Sequence, residues 1–265
     1  MSLAPVTVAS GQKAAPSIVL ASKALRSYFF CYFSWPLASD CIKEWGHRVN
    51  ATEIGRKLGY PKLASLIVNF LRLQPHTTTL PEPSPYINPD INIYPSAKAT
   101  FYAPSDISGP GGMCRERIWA VPVWRKDAAA SRYDTVFLKK NTTTGREHGM
   151  HTLGIGRVRL FFTFCYLSVD YECALVDNYT LQGNGPDTDT GMWKVKRTID
   201  SRSRSQISHV VALTEILRAA HLIPVFYGTP SIPHHITANT ALDHYRNREF
   251  YVNKFVDYHA FETAF

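Results

Sequence analysis

The chain has 265 residues, 45% hydrophobic and 19% charged, which excludes wholesale disorder and leaves room for one sizeable core. Its formal charge of +8 is concentrated near the start: residues 1–80 hold nine Lys/Arg against three Asp/Glu, and the rest holds twenty against eighteen. That bias fits an acidic partner such as nucleic acid for the first part and gives the remainder no such preference.

In chain order, the apolar stretch "SYFFCYFSWPLA" is too short to cross a bilayer and is broken by Pro36, so no membrane association is expected. The first 39 residues carry Lys13, Lys23 and Arg26 and no acid, a composition shared by mitochondrial presequences and by ordinary N-termini. A nuclear or cytoplasmic location is expected ahead of a mitochondrial one. Five cysteines without a Cys-x-x-Cys pair read as free thiols in a reducing compartment.

"NATEIGRKLG" offers Asn50 or Thr52 as a helix cap and Gly59 as a stop. In "YPKLASLIVNFLRL", Pro61 suits a first helical position. There Leu63, Leu66, Ile67, Phe70 and Leu71 make one apolar stripe. Residues 1–75 thus read as a basic segment with short helices. Residues 76–110 are dense in proline and read as an extended linker.

Across 111–265 the period is two. In "IGRVRLFFTF", Val158, Leu160, Phe162 and Phe164 take one face, with Arg157, Arg159 and Thr163 on the other. "RYDTVFLKK", "YECALVD", "MWKVKR", "SHVVAL", "LIPVFYG" and "FYVNKF" read as further strands; "LTEILRAAH" reads as two turns of helix, and a short helix closes the chain. The expected fold is mixed but mainly β: a small antiparallel, partly closed β-barrel with short helices, preceded by an N-terminal helical segment.

Catalytic signatures are sparse. Ser105 and Asp106 lack a nucleophile-elbow context, and "SGPGG" is followed by no Lys-Ser/Thr, so turn chemistry explains it. Asp187 and Asp189 open like a calcium loop but lack the closing glutamate, Thr198 standing there instead. His234, His235 and His244, with Asn239 between, faintly resemble a His-Asn-His nuclease, whose metal ion would activate water. Otherwise no cofactor or metal is expected. "KVKRTIDSRSRS" gathers Lys194, Lys196, Arg197, Arg202 and Arg204, and the helical segment carries Arg56, Lys57, Lys62 and Arg72. Both can contact phosphates.

Taken in order, "TFYAPSDISGPGGMCRERIWAVPVWR", "RYDTVFLKK", "GRVRLFFTF", "DTDTGMWKV", "LRAAHLIPVFYG" and "FYVNKFVDYHAFETAF" resemble the C-terminal region of Plavaka-type transposon proteins of mushroom-forming fungi. The likeness runs from about Lys57 to Phe265 and implies a transposon-derived protein without the recombinase domain. Where such relatives often carry Trp-Phe, this chain has Asp177 and Asn178. The strand order is also similar to that of bromo-adjacent homology domains, which implies that Tyr133, Tyr179 and Trp193 line a peptide-reading surface. The expected function is a non-catalytic module binding DNA or a chromatin protein. The alternatives are a metal-dependent nuclease and a relic without activity.

Overall fold

The computed structural model describes residues 32–34, 48–74, 87–103, 110–122, 131–140, 149–225, 242 and 249–264. Helix α1 (Ala51–Leu58) begins at Asn50, whose side-chain oxygen accepts from the Thr52 N–H at 3.1 Å; Asn88 Oδ1 accepts from the same N–H at 3.0 Å. Gly59, with φ of 80°, ends it in the left-handed conformation that glycine adopts without strain. Helix α2 spans Leu63–Arg72. Pro61, expected at the first helical position, lies in the turn between the helices, which the Tyr60 N–H closes on the Gly55 carbonyl at 2.6 Å.

That turn is tight enough to reverse an ordinary expectation. A Cβ on Gly55 would sit 2.5 Å from the Tyr60 carbonyl oxygen and 2.9 Å from Leu63 Cβ. Gly55→Ala should gain about 1 kcal/mol of helix propensity. We expect it instead to destabilise by roughly 1–3 kcal/mol through overpacking. A lowered urea midpoint checks this; a raised midpoint would mean that the turn has room to spare.

The described strands are β1 (Tyr32–Ser34), β2 (Val49–Asn50), β3 (Asp90–Tyr94), β4 (Ser96–Tyr102), β5 (Met113–Val121), β6 (Arg132–Tyr133) and β7 (Thr135–Lys139). There follow β8 (Leu153–Tyr166), β9 (Val169–Gln182), β10 (Lys194–Arg197), β11 (Ser208–Ala212), β12 (Ile216–Ala220), β13 (Leu222–Pro224) and β14 (Glu249–Val252). Helix α3 (Tyr258–Ala264) closes the chain's described part. The fold is mainly β, a curled antiparallel half-barrel with a few short helices.

Its spine is the β8–β9 hairpin. Each of these long strands serves two short neighbours in turn: β8 pairs with β7 along Leu153–Arg157 and with β3 along Phe161–Thr163. Likewise β9 pairs with β11 along Cys173–Asp177 and with β10 along Tyr179–Gln182. The small sheet runs β1-β4-β5-β6. The proline-rich stretch, expected to link two parts, therefore contributes β3 and β4 as paired strands. The helices share one core with the hairpin: Ile54, Leu63, Ile67, Phe70 and Leu71 pack against Leu160, Phe162, Phe164, Cys173 and Leu175.

Two expectations are corrected here. The register of β8 shifts between Val158 (opposite Val176) and Leu160 (opposite Leu175), so Arg159 is the extra residue of a β-bulge. The bulge flips the side-chain parity. Val158 and Phe161 face the small sheet with Val176 and Ala174, whereas Leu160, Phe162 and Phe164 face the helices. The second correction concerns "LTEILRAAH". After one 3-10 turn (Leu213–Glu215) it becomes β12, paired with β7, not a helix. Ile216, Leu217 and Ala220 are buried in two different core clusters, one on each side of the sheet, and that burial overrides their helical spacing.

Candidate functional site

On β9 of the spine, Asp177 is only 2% exposed. Its carboxylate accepts from the Tyr60 hydroxyl at 2.9 and 3.0 Å, from Ser208 Oγ at 2.5 Å and from Arg159 Nε at 2.6 Å. Burial pushes the Tyr60 hydroxyl far above the ordinary tyrosine range, so it stays protonated and donates. Arg157, also 2% exposed, donates from Nε to the Tyr133 carbonyl at 3.1 Å. Both guanidiniums lie over the Tyr133 ring, Arg159 at 4.9 Å and Arg157 at 5.8 Å. Re-aimed by the bulge, Arg159 reaches the carboxylate that its neighbouring strand presents.

This junction fixes the surface above it. Tyr60 belongs to the α1–α2 turn and Ser208 to the start of β11, so one carboxylate pins the helical turn beside the loop that joins β10 to β11. Gln206 Nε2 secures the loop's foot on the Asn178 carbonyl at 2.6 Å. In the loop, Asp200 accepts from Ser203 Oγ at 2.7 Å and from the Arg202 N–H at 3.1 Å. The Ser203 hydroxyl, the Arg202 and Ser203 N–H groups and, less strongly, the charge of Lys62 hold the Asp200 carboxyl below its usual range against the opposing effect of burial.

The basic residues expected from sequence divide into two kinds. Arg56, Lys57, Lys62, Lys196, Arg202 and Arg204 are exposed. Lys57 pairs with Glu53 at 2.8 Å in an open i,i+4 contact. The others are engaged or half-covered. Lys194 binds Asp187 at 2.6 Å and lies over the Tyr251 ring, Arg197 donates to the Leu242 carbonyl, and Arg72 is half-buried. Asp187, read above as a failed calcium loop, takes Lys194 and the Thr190 N–H and hydroxyl, and these hold its carboxyl down at about 2.

Of the expected peptide-reading aromatics, Trp193 and Tyr179 share one buried core cluster and Tyr133 packs against another. Trp193 (6% exposed) and Tyr179 (8%) are core residues, the first meeting His151 edge-on and the second meeting Phe250 edge-on. Tyr133 is half-buried in another cluster under the two arginines. Aromatic rings on inward-facing positions of a curled sheet are taken by the core, which removes Trp193 and Tyr179 from any open cage. His234, His235 and His244 lie outside the described residues, as do Ser105 and Asp106. Among the described residues no group of three His, Cys, Asp or Glu is placed to hold a metal ion, and the cysteines Cys114, Cys165 and Cys173 are free thiols.

A second polar cluster escaped the reading of the sequence. Arg218, 4% exposed, grips Asp257 with two hydrogen bonds of 2.8 and 2.6 Å and meets His259 Nδ1 at 3.0 Å. Glu116 lies 3.6 Å from the same guanidinium, and burial pushes its carboxyl up. The His259 ring stacks on Phe101 at 4.7 Å, and the Arg218 guanidinium lies 4.8 Å from the same ring. Together these contacts seat α3 on β4, β5 and β12. Charged residues inside apolar runs, such as Arg218 in "EILRAA" and Asp177 in "ALVDNY", were the signal that each would need a buried partner. No protein-family model, no curated protein and no solved structure matches the chain. No helix of the described residues is long and apolar enough to cross a membrane.

Proposed function

We propose that the chain is a non-catalytic module that binds nucleic acid through the exposed cations of the α1–α2 turn and the β10–β11 loop. The observation that carries the reading is the shared grip of Tyr60 and Ser208 on Asp177, which joins two basic segments that are remote in sequence. Arg56 and Lys62 are exposed on the helical segment and Arg202 and Arg204 on the loop, and the chain's charge of +8 favours a polyanion. Phosphates are met well by such surfaces, because each neutralised phosphate releases condensed counterions. Burial of Tyr179 and Trp193 weighs against a chromatin-peptide reader built on those rings. The transposon origin rests on the sequence resemblance alone.

The test is a titration of purified protein with labelled DNA at two salt concentrations, with and without Mg²⁺ or Zn²⁺. The expected result is binding that weakens steeply with salt, needs no metal and cleaves nothing. Metal-dependent cleavage abolished by His244→Ala would overturn the reading in favour of a nuclease, and absence of binding at low salt would overturn it outright.

A further inference from the structure

The loop that joins β10 to β11 alternates serine with arginine: Ser201, Ser203 and Ser205 are spaced by Arg202 and Arg204, and all are exposed. Its feet are fixed. The Thr198 N–H donates to the Asn178 carbonyl at 2.9 Å, and the Ile207 N–H donates to the Thr198 carbonyl at 2.8 Å. Its tip hangs on one carboxylate. Ser203 Oγ donates its single proton to Asp200 Oδ2 at 2.7 Å, so the 2.6 Å contact between Ser203 and Ser205 is a donation from the Ser205 hydroxyl. A relay thus runs from Ser205 through Ser203 to Asp200. Beside it, the Asp200 N–H bonds the Ser205 carbonyl and the Arg204 N–H bonds the Asp200 carbonyl, each at 2.9 Å. Arg204 itself holds a φ of 56°, a left-handed conformation that is costly for a residue with a Cβ.

We propose that Ser205 is a phosphorylation site, modified by an arginine-directed protein kinase, and that the added phosphate switches off the loop's grip on nucleic acid. The inference rests on the nucleic-acid reading and supplies its regulation. Three features argue for Ser205. Arg202 and Arg204 stand three residues and one residue before it, a pattern that an acidic substrate cleft selects by charge. The tip is held by a few exposed bonds and contains one residue in a costly conformation, so it opens locally with ease and can be drawn out as an extended strand. The charge balance at the tip is also narrow: two arginines stand against the carboxylate of Asp200, and phosphoserine adds about −1.5 to −2. In the transfer, Ser205 Oγ bonds the γ-phosphorus of ATP as the bond from that phosphorus to the bridging oxygen breaks. ADP leaves, and the hydroxyl proton passes to the kinase's catalytic carboxylate. The resulting ester has no proton to give Ser203. Its oxygens compete with Asp200 for the Ser203 hydroxyl, repel that carboxylate and take up Arg202 and Arg204, so the relay breaks and the sign of the tip reverses.

The experiment treats the full chain with Mg-ATP and a purified kinase of the calmodulin-dependent class, which is directed to arginine three residues before the serine, and maps the phosphate by mass spectrometry. Binding of a labelled DNA duplex is then compared for the unaltered chain, for a chain synthesised with the phosphate already on Ser205, and for Ser205→Ala. The expected result is phosphate on Ser205, binding weakened roughly tenfold in the phosphorylated chain with a salt slope smaller by about two, and near-full affinity for Ser205→Ala. Phosphate on Ser201 or Ser203 alone, or none in the loop, would overturn the site. Unaltered binding by the phosphorylated chain would overturn the switch, and so would an equal loss for Ser205→Ala, which would trace the effect to the hydroxyl relay and not to charge. If the unaltered chain binds DNA in a salt-sensitive way, the basic-face reading survives each of these failures. If it does not bind, both fall.

Discussion

Replacing Asp177 with alanine is expected to cost roughly 3–5 kcal/mol, because it removes one partner from a buried ion pair. The change strips the acceptor from Tyr60, Ser208 and Arg159 together and leaves the Arg159 guanidinium without its carboxylate. Arg159 keeps some access to water, its side chain being 16% exposed, which holds the expected cost toward the lower figure. For a chain of this size that is a fall in Tm on the order of 10 °C. Thermal unfolding followed by circular dichroism reads it directly. Hydrogen exchange should also quicken in the α1–α2 turn and the β10–β11 loop together, since one side chain holds both. A Tm within a degree or two of the unaltered chain would mean that the turn is held by other contacts.

The second large effect concerns two neighbours on β8. Phe161 and Phe162 are each 0% exposed although they point to opposite faces of the strand. A sheet wet on one side would bury only one of them. Here the small sheet covers one face and the helices cover the other, so Phe161→Ala and Phe162→Ala should each cost about 3–5 kcal/mol. Denaturant titrations of the two variants decide the matter. A mild loss for Phe161→Ala beside a severe one for Phe162→Ala would restore the one-sided strand that simple alternation implies.

That contrast shows where the sequence was readable. The helix pair was legible because cap, stop and stripe are local: Asn50 bonds Thr52, Gly59 takes the left-handed conformation, and Leu63, Ile67, Phe70 and Leu71 share one face. The bulge at Arg159 left no local mark, and once present it moved Val158 to the far side from Phe162. The tip of the spine was equally silent. Leu167 and Ser168 both hold positive φ, 51° and 63°, in a two-residue hairpin turn where glycine or asparagine is the usual signal. Leu213 to Ala220 misled for the opposite reason, since helix-forming residues at helical spacing were drawn into a strand by the partner β7.

The candidate site follows the same rule. Basic residues are visible in composition, so Lys62, Arg202 and Arg204 could be named. The junction that joins their two segments could not, because it depends on Tyr60 and Asp177, 117 residues apart in the chain. The Arg218–Asp257 pair spans 39 residues and was hidden likewise.

The joined basic face is tested most directly by the slope of log binding constant against log salt for the unaltered chain and for a Lys62→Ala/Arg202→Ala/Arg204→Ala variant. If the helical turn and the loop grip one nucleic acid together, the slope should shrink by about one for each phosphate that the variant no longer neutralises, up to about three. An unchanged slope, with unchanged affinity, would show that the joined basic face does not meet the phosphates and would contradict the account.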